Sequence, residues 1–138
     1  SYEQLDQKLQ GIASNRQKLL NKIKGIEKEM KELYSAIEYQ HTLSQNKLVY
    51  DMYLENIEDT AFYEEYKPQI IAYEVALKGL EKSEYQAAGM HTLAEQYAVL
   101  EQEKNMLMKE YTAENSMLHE LQQAKKNTDI YLGNELEK

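Results

Sequence analysis

The chain has 138 residues, with one proline, five glycines, no cysteine and no tryptophan; 42% of its residues are hydrophobic and 29% charged. That fits one folded unit, or a rod with a small head, and is too apolar for a disordered acidic tail; the missing cysteines exclude a disulfide framework, thiolate zinc sites and a cysteine nucleophile. Sixteen basic residues against twenty-four acidic ones give a net charge of -8, with +1 in residues 1–45, -5 in 46–90 and -4 in 91–138, so no segment offers the basic patch that phosphate neutralisation needs and direct nucleic-acid binding is not expected.

The first predicted element covers residues 5–39. Leu5, Leu9, Ile12, Arg16, Leu19, Ile23, Ile26, Met30, Leu33 and Ile37 alternate spacings of four and three residues without a slip. That is a heptad seam, and the residues between are Gln, Lys, Glu and Asn of a solvated helix face. Gly11 and Gly25 lie off the seam, where each weakens the helix by about 1 kcal/mol relative to alanine.

Residues 40–90 break the heptad and read as a helical head. Seven of the twelve tyrosines lie between Tyr39 and Tyr85, with the one phenylalanine, Phe62. The first helix is expected to continue through Leu48, Met52 and Leu54 and to stop near Asn56. Asp59 is an N-cap for a short helix from Thr60, and Pro68 ends that helix and opens a second one. In the second, Ile70, Tyr73, Leu77 and Leu80 form an inward stripe that Ile71 and Val75 widen. Ala87, Ala88 and Gly89 read as the link to the last helix. Two roles are open for Tyr50, Tyr53, Phe62, Tyr63 and Tyr66: amphipathic core and rim, or a surface that docks a partner. Base stacking would need a basic groove, and this is the most acidic third of the chain.

The last element covers residues 91–132. Leu93, Tyr97, Leu100, Lys104, Leu107, Tyr111, Glu114, Leu118, Leu121, Lys125, Thr128 and Leu132 repeat the four–three spacing. Thr92 and Glu95 have the spacing of a capping box, and Gly133 that of a C-cap. Antiparallel pairing of the seams sets Ile37 by Leu93, Leu33 by Tyr97, Ile23 by Leu107, Ile12 by Leu118 and Leu9 by Leu121. It also faces Arg16 with Glu114, either as an ion pair that fixes register or as two side chains reaching water along their apolar stems. The expected fold is therefore all-α: two long helices in an antiparallel coiled-coil hairpin, about 50 Å long at 1.5 Å per residue, capped by a head of two short helices. The arms and head form one domain of residues 1–138. The chain opens on Ser1 without an initiator methionine and is read as a piece of a larger protein.

Chemistry-bearing motifs are missing from the sequence. His41, His91 and His119 are far apart and form no Glu-x-x-His pair, no G-x-S-x-G turn holds a serine, and the glycines form no phosphate loop. Neither catalytic residues, a cofactor nor a metal is expected. No apolar run reaches the ~18 residues of a membrane span, and the reading is cytoplasmic.

The order of several runs resembles a known family. Asn46-Lys47-Leu48-Val49-Tyr50-Asp51-Met52-Tyr53 precedes Asp59-Thr60-Ala61-Phe62, and Ile70-Ile71-Ala72-Tyr73-Glu74-Val75-Ala76-Leu77-Lys78 comes next. Thr92-Leu93-Ala94-Glu95-Gln96-Tyr97, Glu103-Lys104, Tyr111 and Lys126-Asn127-Thr128-Asp129-Ile130-Tyr131-Leu132 complete the series. Over about residues 5–132 this resembles the helical region C-terminal to the nuclease domain in relaxase/mobilisation proteins (MobA/MobL-like) of Gram-positive conjugative elements. The resemblance implies a parent protein that nicks DNA with a tyrosine beside a histidine-held metal, in a domain outside this chain. It further implies that this segment is a non-catalytic spacer or docking arm for other relaxosome or coupling proteins, or for the parent's own nuclease domain. The family's region is richer in basic residues; here Leu54 and Glu55 follow Tyr53. A free-standing coiled-coil adaptor that dimerises is the alternative, whereas the intramolecular hairpin predicts a monomer.

Overall fold

A computed structural model describes residues 1–137, and every regular element in them is helical. Helix α1 is Tyr2–Glu55, α2 is Thr60–Glu81 and α3 is Met90–Glu137. Their lengths are 54, 22 and 48 residues. The first helix stops where expected, just before Asn56, and Asp59 caps α2 by accepting from the Phe62 N–H at 3.1 Å.

The two short helices expected around Pro68 are both present, and they meet at a kink rather than at a loop. The kink lies at Tyr66 of α2, whose φ of -109° and ψ of 16° leave the helical region. Proline has no N–H to return to the carbonyl four residues back, and its ring crowds that turn, so the helix bends ahead of it rather than ending. Both expected punctuation marks of α3 are displaced. Thr92 lies inside the helix, and the Leu93 N–H reaches the Gly89 carbonyl at 3.1 Å, which starts α3 earlier than a Thr92 cap would. Gly133 continues the helix without a positive φ, so a propagating helix overrides its C-cap tendency.

Packing sorts the chain into two compact units, with boundaries unlike those of the expected arms and head. The first unit is Ser1–Glu27 with the chain from Gln102 onward, and the second is Lys28–Glu101. In the first unit, Leu9, Ile12 and Leu118 are buried together, with Ala13 and Leu121 packed on them. Cross-helix contacts descend α1 as they ascend α3: Lys104 to Glu27 at 3.8 Å, Arg16 to Asn115 at 2.9 Å and Lys125 to Asp6 at 2.9 Å. In this unit Leu19, Ile23 and Ile26 are buried from α1, so every apolar seam position of the α1 segment is covered at least in part.

The second unit has three helical segments. Leu33 and Ala36 of α1, Leu80 of α2 and Leu93 of α3 form its core, and Ile37, Tyr39, Leu43, Tyr85, Ala88, Tyr97 and Leu100 pack against them. Gln40 ties α1 to the connection before α3 by donating to the Ala88 carbonyl. The close crossing of α1 and α2 depends on Gly79: a Cβ there would come within 2.6 Å of Tyr39 Cε2, because the tyrosine ring lies against the glycine backbone.

Candidate interaction surface

The aromatic residues singled out from the sequence all belong to the second unit, on the last turns of α1 and the first turns of α2. Tyr50 and Tyr53 lie one helical turn apart, with ring centroids separated by 5.8 Å. Tyr53 meets Tyr63 at 5.8 Å, and Tyr50 stacks on Tyr73 at 4.0 Å with 15° between the planes. Four rings thus touch in series, from Tyr63 to Tyr73. Phe62 and Tyr66 make a separate tilted pair at 4.7 Å. Tilted pairs of this kind contribute about 0.5–1.5 kcal/mol each beyond their burial. Lys67 Nζ is 6.0 Å from the Tyr63 ring centre, at the limit of a cation–π contact.

None of the five predicted residues is buried and none is open to solvent; each is half-covered by another ring. Burial raises the Tyr50 pKa above its ordinary value, and nearby Glu74 adds to the shift by disfavouring a second negative charge. Tyr85 is raised in the same way, first by burial and then by Glu29, Glu84 and Glu32. Lys47 is shifted up by its hydrogen bond to Asp51, a 3.0 Å surface pair one helical turn apart.

The structure corrects one sequence expectation about this region. Ile71 and Val75 do not widen the inward stripe of α2: they are 43% and 60% exposed, while Ile70, Ala76 and Leu80 are buried. At 100° per residue, positions 71 and 75 fall on the side of α2 opposite Tyr73 and Leu80. Sequence reasoning also missed Leu48 and Met52 as exposed residues. The seam that carries Ile37 continues through their part of α1, but the helix that covers Ile37 does not.

In the first unit Arg16 meets neither Glu114 as an ion pair nor open water. Its guanidinium donates to Asn115 Oδ1, one residue beyond the carboxylate the seams had aligned with it. Arg16, Glu114 and Asn115 are all half-buried. Asparagine thus supplies the guanidinium with a neutral acceptor.

Three histidines complete the inventory. His41 and His119 are exposed, and His91 Nε2 lies 2.9 Å from Glu95 on an open helix face. Among the described residues no group of three or more metal-binding side chains converges, and no helix is long and apolar enough to cross a membrane.

No protein-family model, curated protein or solved structure matches the chain.

Proposed function

We propose that this chain is a non-catalytic helical module that acts through protein contacts, as a spacer or docking arm of a mobilisation relaxase in the relaxosome. The observation that carries the docking part is the distribution of charge. The first unit has ten basic and ten acidic residues, and the second has six and fourteen, so the whole net charge of -8 belongs to Lys28–Glu101. The same unit exposes Leu48, Met52, Leu54, Ile57, Ile71 and Val75. A strongly charged surface holding that many open apolar side chains is what a recognition surface needs, with charge steering the encounter and apolar area holding it. The family assignment rests on the order of helical runs, and its setting would be cytoplasmic.

In this reading the long helices form an antiparallel coiled-coil hairpin. Cysteines at Ile23→Cys and Leu107→Cys then crosslink within one chain, and crosslinks only between chains discard the hairpin. For the function itself, the upstream reading frame is sequenced and residues 1–138 are deleted from the native product. The expected result is an upstream nuclease domain, nicking of origin DNA unchanged, and conjugative transfer reduced at least tenfold. A start codon just before Ser1, or transfer unaffected by the deletion, rejects the relaxase role.

The second reading, a dimerising adaptor, is favoured by one feature: Ile130, Tyr131 and Leu132 are consecutive and exposed on α3. A dimer in sedimentation equilibrium that is lost on substituting all three with serine would support it.

A further inference from the structure

Helix α1 has two coverings within the second unit. On one side α3 covers it: Leu33 is buried and Ile37 half-buried in one cluster with Leu93 and Tyr97, and Met30 is buried one turn earlier. On another side α2 covers it from Tyr39, which lies on Gly79, to Tyr50 and Tyr53, which meet Tyr73 and Tyr63. Helix α3 begins at Met90, and Gln40 is tied to the connection just before it. Beyond Gln40, α1 keeps its α2 neighbour and loses its α3 neighbour.

The line that runs on from Ile37 at helical spacing is His41, Ser44, Leu48, Met52 and Glu55, and all five are exposed. Leu48 is 74% exposed and Met52 42%. Between residues 44 and 59 the sequence has one basic residue, Lys47, which is already paired with Asp51; the acidic ones are Asp51, Glu55, Glu58 and Asp59. The bare face is thus an apolar pair on the helix side where a third helix packs elsewhere, set in negative charge. Another acidic surface would be repelled there, and a second copy of this unit brings the same negative charge.

We infer that the open face of α1 around Leu48 and Met52 docks a basic amphipathic helix of a partner protein, which takes the place along residues 41–55 that α3 takes along residues 30–37. Apolar residues of the incoming helix cover Leu48 and Met52, and its lysines or arginines meet Asp51, Glu55 and Glu58. This inference rests on the docking reading above and gives the partner its chemistry.

The test uses the full chain and three synthetic eighteen-residue helical probes with leucine at heptad a and d positions: one with lysine at the remaining positions, one with glutamate, and a scrambled lysine peptide. Fluorescence anisotropy is expected to show micromolar binding of the lysine helix, weakened at least tenfold for the glutamate and scrambled versions. Leu48→Ser with Met52→Ser is expected to weaken the lysine helix at least tenfold. Both side chains are open, so the variant keeps its circular dichroism. Ile71→Ser with Val75→Ser, on the far side of α2, is expected to leave binding within twofold. No binding, equal binding of the scrambled peptide, or loss at Ile71 and Val75 rather than at Leu48 and Met52 overturns the inference. A concentration-dependent dimer that the Leu48–Met52 variant dissolves overturns it too, because a second copy then covers the face. If the deletion experiment supports the arm while this one fails, docking stands and its place or partner chemistry is different; a failed deletion experiment with intact peptide binding rejects only the relaxase setting.

Discussion

The two units use the same long helices to different ends. In the first, charge balances, and the contacts across the seam alternate apolar layers with single polar pairs: Glu27 with Lys104, Arg16 with Asn115, Asp6 with Lys125. In the second, a third segment enters, the core becomes apolar throughout, and the surface carries all of the excess acid. Polar interruptions specify a register at some cost in stability, whereas the three-segment core gives stability and leaves the surface free to vary. The contrast teaches that the seam pattern alone describes half of this molecule.

The comparison is sharpest at Leu33, which is 1% exposed in the second unit's core. Leu33→Ala removes a side chain that cannot be replaced by collapse from three directions, and is expected to cost about 3–4 kcal/mol. Leu121→Ala, at the half-covered edge of the first unit's cluster, is expected to cost about 1–2 kcal/mol. Urea unfolding of both variants reads the difference; equal costs would erase the distinction between the two cores.

Glycine replacement gives the next largest effect, with opposite signs. A Cβ at Gly79 runs into the Tyr39 ring, so Gly79→Ala is expected to destabilise by about 1–2 kcal/mol. Gly25 has nothing within 4 Å of a Cβ, and Gly25→Ala is expected to stabilise the chain by about 0.5–1 kcal/mol. Adding Tyr39→Ala to Gly79→Ala should make the glycine change nearly neutral.

Smaller again is Arg16→Ala, which removes a half-buried hydrogen bond and the packing of a long stem, for about 1 kcal/mol. Replacing both Arg16 and Asn115 with leucine is expected to recover stability and to loosen register, read as a broader spread of crosslinks between cysteine pairs along the seam.

The weakest effect is on pH. The folded protein holds the Tyr50 proton above the ordinary value of 10.0, so at high pH the unfolded chain releases it first. The contribution is intact below that ordinary value and is lost as pH rises through the raised one. Stability of the wild type should therefore fall more steeply with pH above 10 than that of Tyr50→Phe; parallel curves would mean that burial of the phenol is unimportant.

Much of the helical layout was legible in advance. Every predicted seam position from Leu5 to Ile37 and from Leu93 to Thr128 is buried or half-buried, because the four–three spacing is a direct consequence of helix geometry; the last predicted position, Leu132, is exposed instead. The stop near Asn56 and the Asp59 cap were legible because a carboxylate beside free N–H groups is a local matter. Arg16's partner was displaced by one residue because a long side chain reaches past its own seam layer. Thr92 and Gly133 misled because caps are weak preferences, overridden where a helix can propagate. The bare face of α1 could not be read from spacing: Leu48 continues the apolar pattern, and its exposure follows from where another helix begins.

The series of rings from Tyr63 to Tyr73 also decides how this protein can be watched. With no tryptophan in the chain, near-ultraviolet ellipticity comes from its twelve tyrosines and single phenylalanine, and nine of those tyrosines and the phenylalanine lie between Lys28 and Glu101. Only Tyr2, Tyr111 and Tyr131 belong to the other unit, and Tyr131 is exposed, where free rotation averages its signal away. The unlabelled protein thus carries its own reporter: the aromatic band follows Lys28–Glu101, while the amide band follows every helix.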